Sequence, residues 1–233
     1  MAPDDLREVT IGILAMQGAF IEHEKALQRL RSPRKIDVLQ VRTREELARC
    51  DALIIPGGES TTIALLARLE GILDPLRDFR SHKPVWGTCA GAILLSERVE
   101  NTKRGGQEVL GGVSATIARN GWGSQVESFE ANLEVEGLRD PQEPFIGVFI
   151  RAPVLLELHP SHDDPPVQVV ARLPPGLLPP SLASDNPDDA KAIVALRQGL
   201  HLLTTFHPEL TPDDRFHEYF VRECVLPTIA AKA

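Results

Sequence analysis

The chain has 233 residues, of which 42% are hydrophobic, and its formal net charge at pH 7 is −8. This length and apolar content allow a large buried core, so we predict a single domain over residues 1–233. The acidic charge argues against nucleic acid or an anionic membrane as the main partner, because both attract a basic surface.

The first half of the chain alternates strand patterns with helix patterns. Apolar, β-branched runs predict strands, and apolar positions at helical spacing predict helices. The strands cover 9–15, 36–41, 52–55 and 85–87, and the helices cover 20–30, 44–50, 61–69 and 74–79. Because strands that alternate with helices form right-handed crossovers, we predict a mostly parallel sheet with helices on both faces.

The second half has shorter strand patterns, which we interpret as an antiparallel meander added to the parallel core. These patterns cover 112–118, 131–135, 145–150, 167–171, 192–197 and 201–206, and a last helix is predicted over 212–224. Residues 174–189 are rich in Pro, Asp and Ser and show no periodicity. We predict that they form a surface insertion away from any active site.

Three short motifs each follow a predicted strand of the first half. They are QGA at Gln17, PGGES at Pro56 and GTCAG at Gly87. Ligands bind at the carboxyl ends of the strands in parallel sheets. The topology therefore predicts that the three motifs meet at one edge of the sheet.

Cys89 ends an apolar strand pattern and lies between small residues at the point where a helix begins. A sharp strand-to-helix turn exposes one side chain above free backbone N–H groups, which is a typical setting for a nucleophile. The helix dipole at such a position favours the thiolate. The alternative is a buried cysteine that packs as a small apolar residue.

His207 and Glu209 supply the other groups that a cysteine nucleophile needs, a base and a residue that orients it. On an extended backbone, side chains two residues apart point the same way. A structural histidine is the alternative for His207 alone. Oxyanion donors are expected from the backbone after Cys89 and from the Gly57-Gly58 turn. A phosphate-binding turn, or a helix cap by Ser60, is the alternative for PGGES, which lacks the lysine of a P-loop.

Several longer strings together resemble the glutaminase subunits of pyridoxal 5′-phosphate synthase, which are class I triad glutamine amidotransferases. GTCAG and HPE indicate a triad amidotransferase, whereas PGGEST, VFIRAP and the early QGA followed by EH indicate the vitamin B6 branch. The strings are GILAMQGAFIEHEKAL, LIIPGGESTTI, VWGTCAGAILL, SQVESFEANL, FIGVFIRAP and FHPELTPDDRFHEYF. The resemblance implies a flavodoxin-like, three-layer αβα fold with a mostly parallel central sheet and added antiparallel strands.

The resemblance also implies an activity, which is hydrolysis of glutamine to glutamate and ammonia through a thioester. Cys89 would be the nucleophile, His207 the general base and Glu209 its orienting partner, with an oxyanion hole from the backbone N–H groups of Gly58 and Ala90. The implied glutamine contacts are Gly58, Glu59, Ser60, Arg119, Ile150 and Arg151. Gln17 would lie near the active site and the synthase interface. Loop support is the alternative role for Gln17 and Arg151.

The resemblance implies one macromolecular partner, the synthase subunit that uses the ammonia to build pyridoxal phosphate from a pentose phosphate and a triose phosphate. We expect no cofactor and no metal. The acidic N-terminal segment and the widely spaced cysteines predict a cytoplasmic protein with reduced thiols and no membrane span. The string HPSHDD at 159–164 resembles a metal cluster, but we interpret it as a solvated loop.

The sequence departs from the family pattern at Ser124, where an arginine is usual, and in the insertion at 174–189. We assign Ser124 no role. A triad amidotransferase subunit of another pathway, such as imidazole glycerol phosphate synthesis, is one alternative function. A flavodoxin-like thiol sensor, chaperone or silent structural subunit is the other, although such a protein does not need His207 and Glu209.

Overall fold

A computed structural model of the chain describes residues 8–102, 105–122, 128–178, 182 and 189–230. The strands within them are β1 (Val9–Leu14), β2 (Ile36–Val41), β3 (Ala52–Ile55), β4 (Val85–Thr88), β5 (Ser96–Glu100), β6 (Val113–Ala118), β7 (Ser128–Leu133), β8 (Phe145–Ile150), β9 (Val154–Leu158), β10 (Val167–Arg172), β11 (Ile193–Gln198) and β12 (His201–Thr204). The α-helices are α1 (Phe20–Arg29), α2 (Arg44–Ala48), α3 (Ser60–Leu69), α4 (Leu73–His82), α5 (Ala90–Leu95), α6 (Arg215–Phe220) and α7 (Leu226–Ala230).

The central sheet has the strand order β10-β11-β12-β4-β3-β1-β2. Its strands from β12 to β2 run parallel, and β11 and β10 add an antiparallel edge. The predicted α/β fold with a mostly parallel sheet and added antiparallel strands is therefore confirmed. The loops after β1, β3 and β4 come from neighbouring strands, which places the three motifs side by side.

Helices cover both faces of this sheet because successive residues of its buried strands point to opposite sides. In β3, Ile54 packs in one core with residues of α1 and α6. Leu53 and Ile55 pack in a second core with residues of α3, α4 and α5. This alternation produces the three-layer arrangement.

The predicted meander of the second half is correct only in part. Only β10 to β12 continue the central sheet, whereas β5, β6 and β9 form a separate sheet and β7 pairs with β8 alone. Strands β5 and β9 were not predicted from the sequence. Residues Glu97 and Arg98 of β5 are exposed, so this strand lacks the apolar alternation that identifies a half-buried strand.

The last helix was also predicted with wrong bounds, since α6 begins at Arg215 rather than at Pro212. The Asp213 carboxylate accepts a hydrogen bond from the Arg215 backbone N–H, which holds the preceding residues in a turn. After α6 the chain continues through a π-helical turn, Val221–Val225, into α7. A π turn shifts the helical register by one residue, so a periodicity of 3.6 residues does not follow it.

Two features of the sequence fall mainly on residues that the structure does not describe. Ser124 lies outside the described residues, and so does most of the insertion predicted at 174–189. In the HPSHDD loop, Asp164 accepts hydrogen bonds from Ser114 and Ser161, and the His162 side chain is fully exposed. Among the described residues, no group of three His, Cys, Asp or Glu side chains is arranged to hold a metal ion, and no helix is long and apolar enough to cross a membrane.

Candidate active site

Cys89 occupies the sharp turn between β4 and α5. Its φ of 48° and ψ of −101° are a conformation that residues with a side chain rarely adopt. The backbone N–H of Cys89 donates to the Thr204 carbonyl of β12 at 2.9 Å, which fixes the turn to the neighbouring strand. A Cβ on Gly87 would lie 2.4 Å from the Gly91 carbonyl oxygen, so the tightness of the turn requires glycine there.

His207 and Glu209 reach Cys89 from the end of β12. The His207 Nδ1–H donates to Glu209 Oε1 at 2.7 Å, and the Cys89 side chain lies close enough to the imidazole to influence its pKa. All three residues are less than 10% exposed, so these contacts are shielded from water. The expectation of an extended backbone between His207 and Glu209 is wrong, because Pro208–Leu210 form a 3-10 turn. This turn nevertheless brings the two side chains together.

The surroundings of His207 favour its protonated form. Burial lowers the pKa of His207, but hydrogen bonds with Cys89 and Glu209 and the negative charges of both groups outweigh burial and raise the pKa to about 10. A protonated imidazole beside a thiol is the arrangement in which the nucleophile is present as thiolate. The arrangement can therefore attack an electrophilic carbon and then return a proton to a leaving group.

The PGGES loop lies against this triad of Cys89, His207 and Glu209. A Cβ on Gly57 would lie 2.3 Å from His207 Cε1, so only glycine permits the observed approach of the loop to the imidazole. The Gln17 Oε1 accepts the Glu59 backbone N–H at 2.7 Å and ties the QGA loop to the same turn. The predicted meeting of the three motifs at one edge of the sheet is thus confirmed.

The Glu59 side chain, rather than that of Ser60, caps α3. It accepts the Thr62 backbone N–H at 2.8 Å, so the alternative of a cap by Ser60 is wrong. Burial raises the pKa of Glu59, but hydrogen bonds from Thr61 and Thr62 and the charge of Arg119 outweigh it and lower the pKa to about 2. The carboxylate is therefore ionised throughout the physiological range.

Arg119, Glu59 and Ser60 are brought together beside the PGGES turn. Arg119 Nη2 lies 2.6 Å from Glu59 Oε1, and Arg119 Nη1 and Ser60 Oγ each donate to Gln107 Oε1 at 3.1 Å. The cluster contains both charges that are complementary to a free amino acid, which carries an ammonium and a carboxylate. The role of Gln107 could not be predicted from the sequence, because no pattern in its glycine-rich segment distinguishes it.

The Ile150-Arg151 pair reaches the other side of Cys89. The Ile150 carbonyl oxygen lies 3.9 Å from Cys89 Sγ, and Arg151 has a φ of 43°. Non-glycine residues rarely adopt such a φ, and they cluster at active sites and ligand contacts. Ala90 is the first residue of α5, so its N–H has no acceptor within that helix and is available to an oxyanion.

His23 is a further buried residue at the site, 3.4 Å from Glu209 Oε2. His23 belongs to the EH pair of the early motif, which indicated the family of the chain but no role for this histidine. The structure thus brings together the proposed triad, Gln17, the PGGES turn, Arg119 and the Ile150-Arg151 pair.

Comparisons with known proteins place this arrangement in context. A model of the SNO glutamine amidotransferase family matches residues 13–226. The chain is 49% identical over 214 residues to the pyridoxal 5′-phosphate synthase subunit PdxT of Roseiflexus sp., covering 91% of this chain and 99% of that protein. It is 44% identical over 226 residues to the probable pyridoxal 5′-phosphate synthase subunit PDX2 of Arabidopsis thaliana, covering 92% and 85% respectively. A crystal structure described as a glutamine amidotransferase superimposes with a TM-score of 0.71 at 43% identity, covering 91% of this chain and 97% of that one.

Proposed function

The chain belongs to the SNO glutamine amidotransferase family, and on that premise we propose that it hydrolyses glutamine and supplies the ammonia for pyridoxal 5′-phosphate synthesis. One observation carries the proposal. Cys89 lies in a strained turn beside His207 and helps to raise its pKa, and His207 donates to Glu209 at 2.7 Å. A thiol sensor does not need this buried row of three groups.

The reaction follows from the positions of these groups. The Cys89 thiolate attacks the side-chain amide carbon of glutamine, and the oxyanion accepts hydrogen bonds from the backbone N–H groups of Gly58 and Ala90. The His207 imidazolium gives its proton to the departing nitrogen, which leaves as ammonia. The γ-glutamyl group stays on Cys89 as a thioester. His207 then takes a proton from water, which attacks the thioester and releases glutamate.

The α-ammonium and α-carboxylate groups of glutamine are proposed to bind in the cluster that adjoins the PGGES turn. Glu59, Ser60 and Arg119 form one wall, and Ile150 with Arg151 form the other. Arginine binds the α-carboxylate through paired hydrogen bonds, and the ionised Glu59 suits the α-ammonium. This role for Glu59 needs no protonation change, since the pKa of its carboxyl lies at about 2.

The partner is proposed to be the synthase subunit that consumes the ammonia, because ammonia released into water is protonated and lost to an amination. Three exposed apolar side chains lie in segments that carry site residues, with Ile21 45%, Ile150 40% and Leu210 43% exposed. Contiguous patches of exposed apolar side chains are typical of surfaces that bind another protein, whereas single exposed apolar residues are common on any surface. The acidic charge and the three free cysteines agree with a cytoplasmic location.

We propose further that docking of the synthase rearranges the Gly57-Gly58 turn, so that the isolated chain hydrolyses glutamine slowly. The turn has neighbours that hold it in place, since Gly57 O accepts the Ala19 N–H at 3.0 Å and Gln17 accepts the Glu59 N–H. Ammonia release is expected to rise when the synthase subunit is added. Equal rates with and without the synthase would contradict this part of the proposal.

The test of the function is ammonia release from glutamine by the purified chain together with a synthase subunit. We expect Cys89→Ala to lower the rate by about 10³-fold or more, because it removes the nucleophile. Cys50→Ala is the matched control, since Cys50 is also a buried free cysteine but donates to the Glu46 carbonyl. A Cys89→Ala variant that keeps the wild-type rate would overturn the proposed function.

A further inference from the structure

A row of buried polar side chains continues from Glu209 into the core. His23 of α1 is fully buried, and its Nε2 lies 3.4 Å from Glu209 Oε2 and 3.3 Å from Thr88 Oγ1. Its Nδ1 lies 2.9 Å from Nε2 of His217 in α6. The ring of Trp86 packs edge-on against His23 with the centroids 5.6 Å apart. Residues from separate elements thus confine both nitrogens of one imidazole.

The second carboxylate oxygen of Glu209 faces this imidazole. Oε1 accepts from His207, whereas Oε2 is buried and has no hydrogen bond within the part of the chain that the structure describes. An unsatisfied buried acceptor destabilises the folded state, and more so when it is charged. Among the described residues, His23 Nε2 is in polar contact with Oε2. The distance of 3.4 Å between these two atoms is long for a hydrogen bond.

The neighbours of His23 favour one tautomer. With the proton on Nε2, the ring presents an N–H to the Glu209 carboxylate, and Nδ1 accepts a hydrogen bond from His217 Nε2–H. With the proton on Nδ1, the Nε2 lone pair would face the carboxylate and repel it. The carboxylate therefore favours the Nε2–H form, and His217 supplies the donor that this form requires.

We propose that His23 is a positioning residue for the glutaminase reaction, whose neutral Nε2–H holds Glu209 in the rotamer that meets His207. The inference rests on the proposed function, because it gives His23 a part in that reaction. His23 touches neither substrate nor thiol. It acts only through the carboxylate, by fixing one oxygen so that the other is aligned with His207 Nδ1.

The groups that face His23 keep it neutral. Burial, followed by the charges of His217 and His207, holds the pKa of His23 well below its ordinary value. Burial and the charge of Arg29 lower the pKa of His217 to about 3, with Asp213 acting in the opposite direction. Neither imidazole therefore gains a proton near pH 7, and the row supplies dipoles rather than a second positive charge.

The two amide residues separate this role from simple packing. His23→Gln places its amide N–H₂ near the position of Nε2, whereas the shorter His23→Asn reaches only as far as Nδ1. Both variants lose the ring. In the complex with the synthase subunit, we expect His23→Asn to lower kcat for ammonia release by about tenfold or more, and His23→Gln to stay within about threefold of wild type. KM for glutamine is expected to change less than about twofold in both, because His23 does not touch glutamine.

A second readout follows the state of the Cys89–His207 pair directly. The rate of Cys89 alkylation by iodoacetamide is measured against pH in the same complexes. In His23→Asn we expect the pH dependence to move to higher pH, because a loosely held Glu209 retains the His207 proton less firmly and a neutral imidazole stabilises the thiolate less. His23→Gln is expected to keep the wild-type profile. In a Glu209→Gln background, His23→Asn is expected to cause no further loss of kcat.

The controls separate the two proposals. A wild-type complex that releases no ammonia contradicts the proposed function, whatever the His23 variants do. An active wild type with equal losses and unchanged pH profiles in both variants overturns the inference alone. Should His23→Asn not fold, His23→Gln decides, since a loss of its activity or a shifted profile also overturns it. His82→Asn, on an exposed part of α4 with its side chain 72% exposed, is expected to match wild type.

Discussion

At the scale of single residues, the candidate site depends on approaches that leave no room for a side chain. Cys89 has a φ of 48°, although it is not a glycine. Gly57 lies so close to the His207 ring that any Cβ would overlap it. The imidazole is also fixed by the hydrogen bond from its Nδ1 to Glu209. Its position is therefore defined by a backbone contact and by a hydrogen bond.

Gly57→Ala is expected to lower kcat/KM for ammonia release by about 10²-fold, because the added methyl group displaces His207 from Cys89. Gly71→Ala is the control, since a Cβ at Gly71 meets nothing within 4 Å and Gly71 has a φ of 66°. It is expected to cost about 1 kcal/mol of stability without loss of activity. A Gly57→Ala variant with the wild-type rate would show that the imidazole has room to move.

At the scale of elements, α5 carries the nucleophile because it lies directly on the central sheet. A Cβ on Gly91 would lie 2.0 Å from the Ile55 carbonyl oxygen of β3, and the Gly91 carbonyl in turn approaches Gly87 of β4. The whole of α5 is buried. The position of Cys89 thus follows from backbone contact between a short helix and the strands beneath it.

Gly91→Ala is expected to force α5 away from β3 and to destabilise the protein by about 1–3 kcal/mol or more, since overpacked sites relax only in part. Glutamine hydrolysis should fall with it, because the turn at Cys89 moves with the helix. Urea unfolding and ammonia release are the measurements. Gly176→Ala, where a Cβ meets nothing within 4 Å and φ is 84°, is expected to cost about 1 kcal/mol of stability and to keep the wild-type activity. Unchanged stability of Gly91→Ala would contradict the described seating of α5.

The elements that the sequence predicted well are those whose periodicity matches their burial. The buried run Ala52–Ile55 and the helical spacing of 20–30 identified β3 and α1, and the family resemblance read from the motifs is confirmed by the match over 13–226. β5 is half-exposed and polar, and was missed. Gln107 and the contact of His23 with Glu209 were also missed, because they depend on tertiary packing between distant segments. The single domain over the whole chain stays a prediction.

At the scale of the whole molecule, buried histidines with opposite pKa shifts make stability depend on pH in both directions. Burial, together with the charge of Arg80, lowers the pKa of His201 to about 4, and His23 and His217 are lowered as well. His207 is raised to about 10, because its bonds to Cys89 and Glu209 outweigh burial. The folded chain therefore disfavours protons on three histidines and favours one on the fourth.

The free energy of unfolding is expected to be greatest near neutral pH. As the pH falls below about 6.5, three histidines gain protons in the unfolded chain but stay neutral in the folded chain. The free energy of unfolding then falls by up to about 1.4 kcal/mol per pH unit for each of these histidines. As the pH rises from about 6.5 through 10, the contribution of His207 is lost. Urea unfolding measured from pH 4.5 to 9.5 tests both limbs.

Two variants show which histidines cause the acid and the alkaline limbs of the stability profile. His201→Gln is expected to flatten the acid limb, and His207→Gln the alkaline limb. His82→Gln, at an exposed position on α4, should change neither. Stability that does not vary with pH in the wild type would contradict the opposite pKa shifts.

Cys89 is proposed to carry the γ-glutamyl group of glutamine during the reaction. The most direct measurement is peptide mass analysis of the chain and its synthase partner, quenched in acid during turnover with glutamine. We predict a γ-glutamyl thioester on the peptide that contains Cys89, and none on the peptides that contain Cys50 or Cys224. Ammonia release with no acyl group trapped on Cys89, or the group found on another residue, would contradict the account.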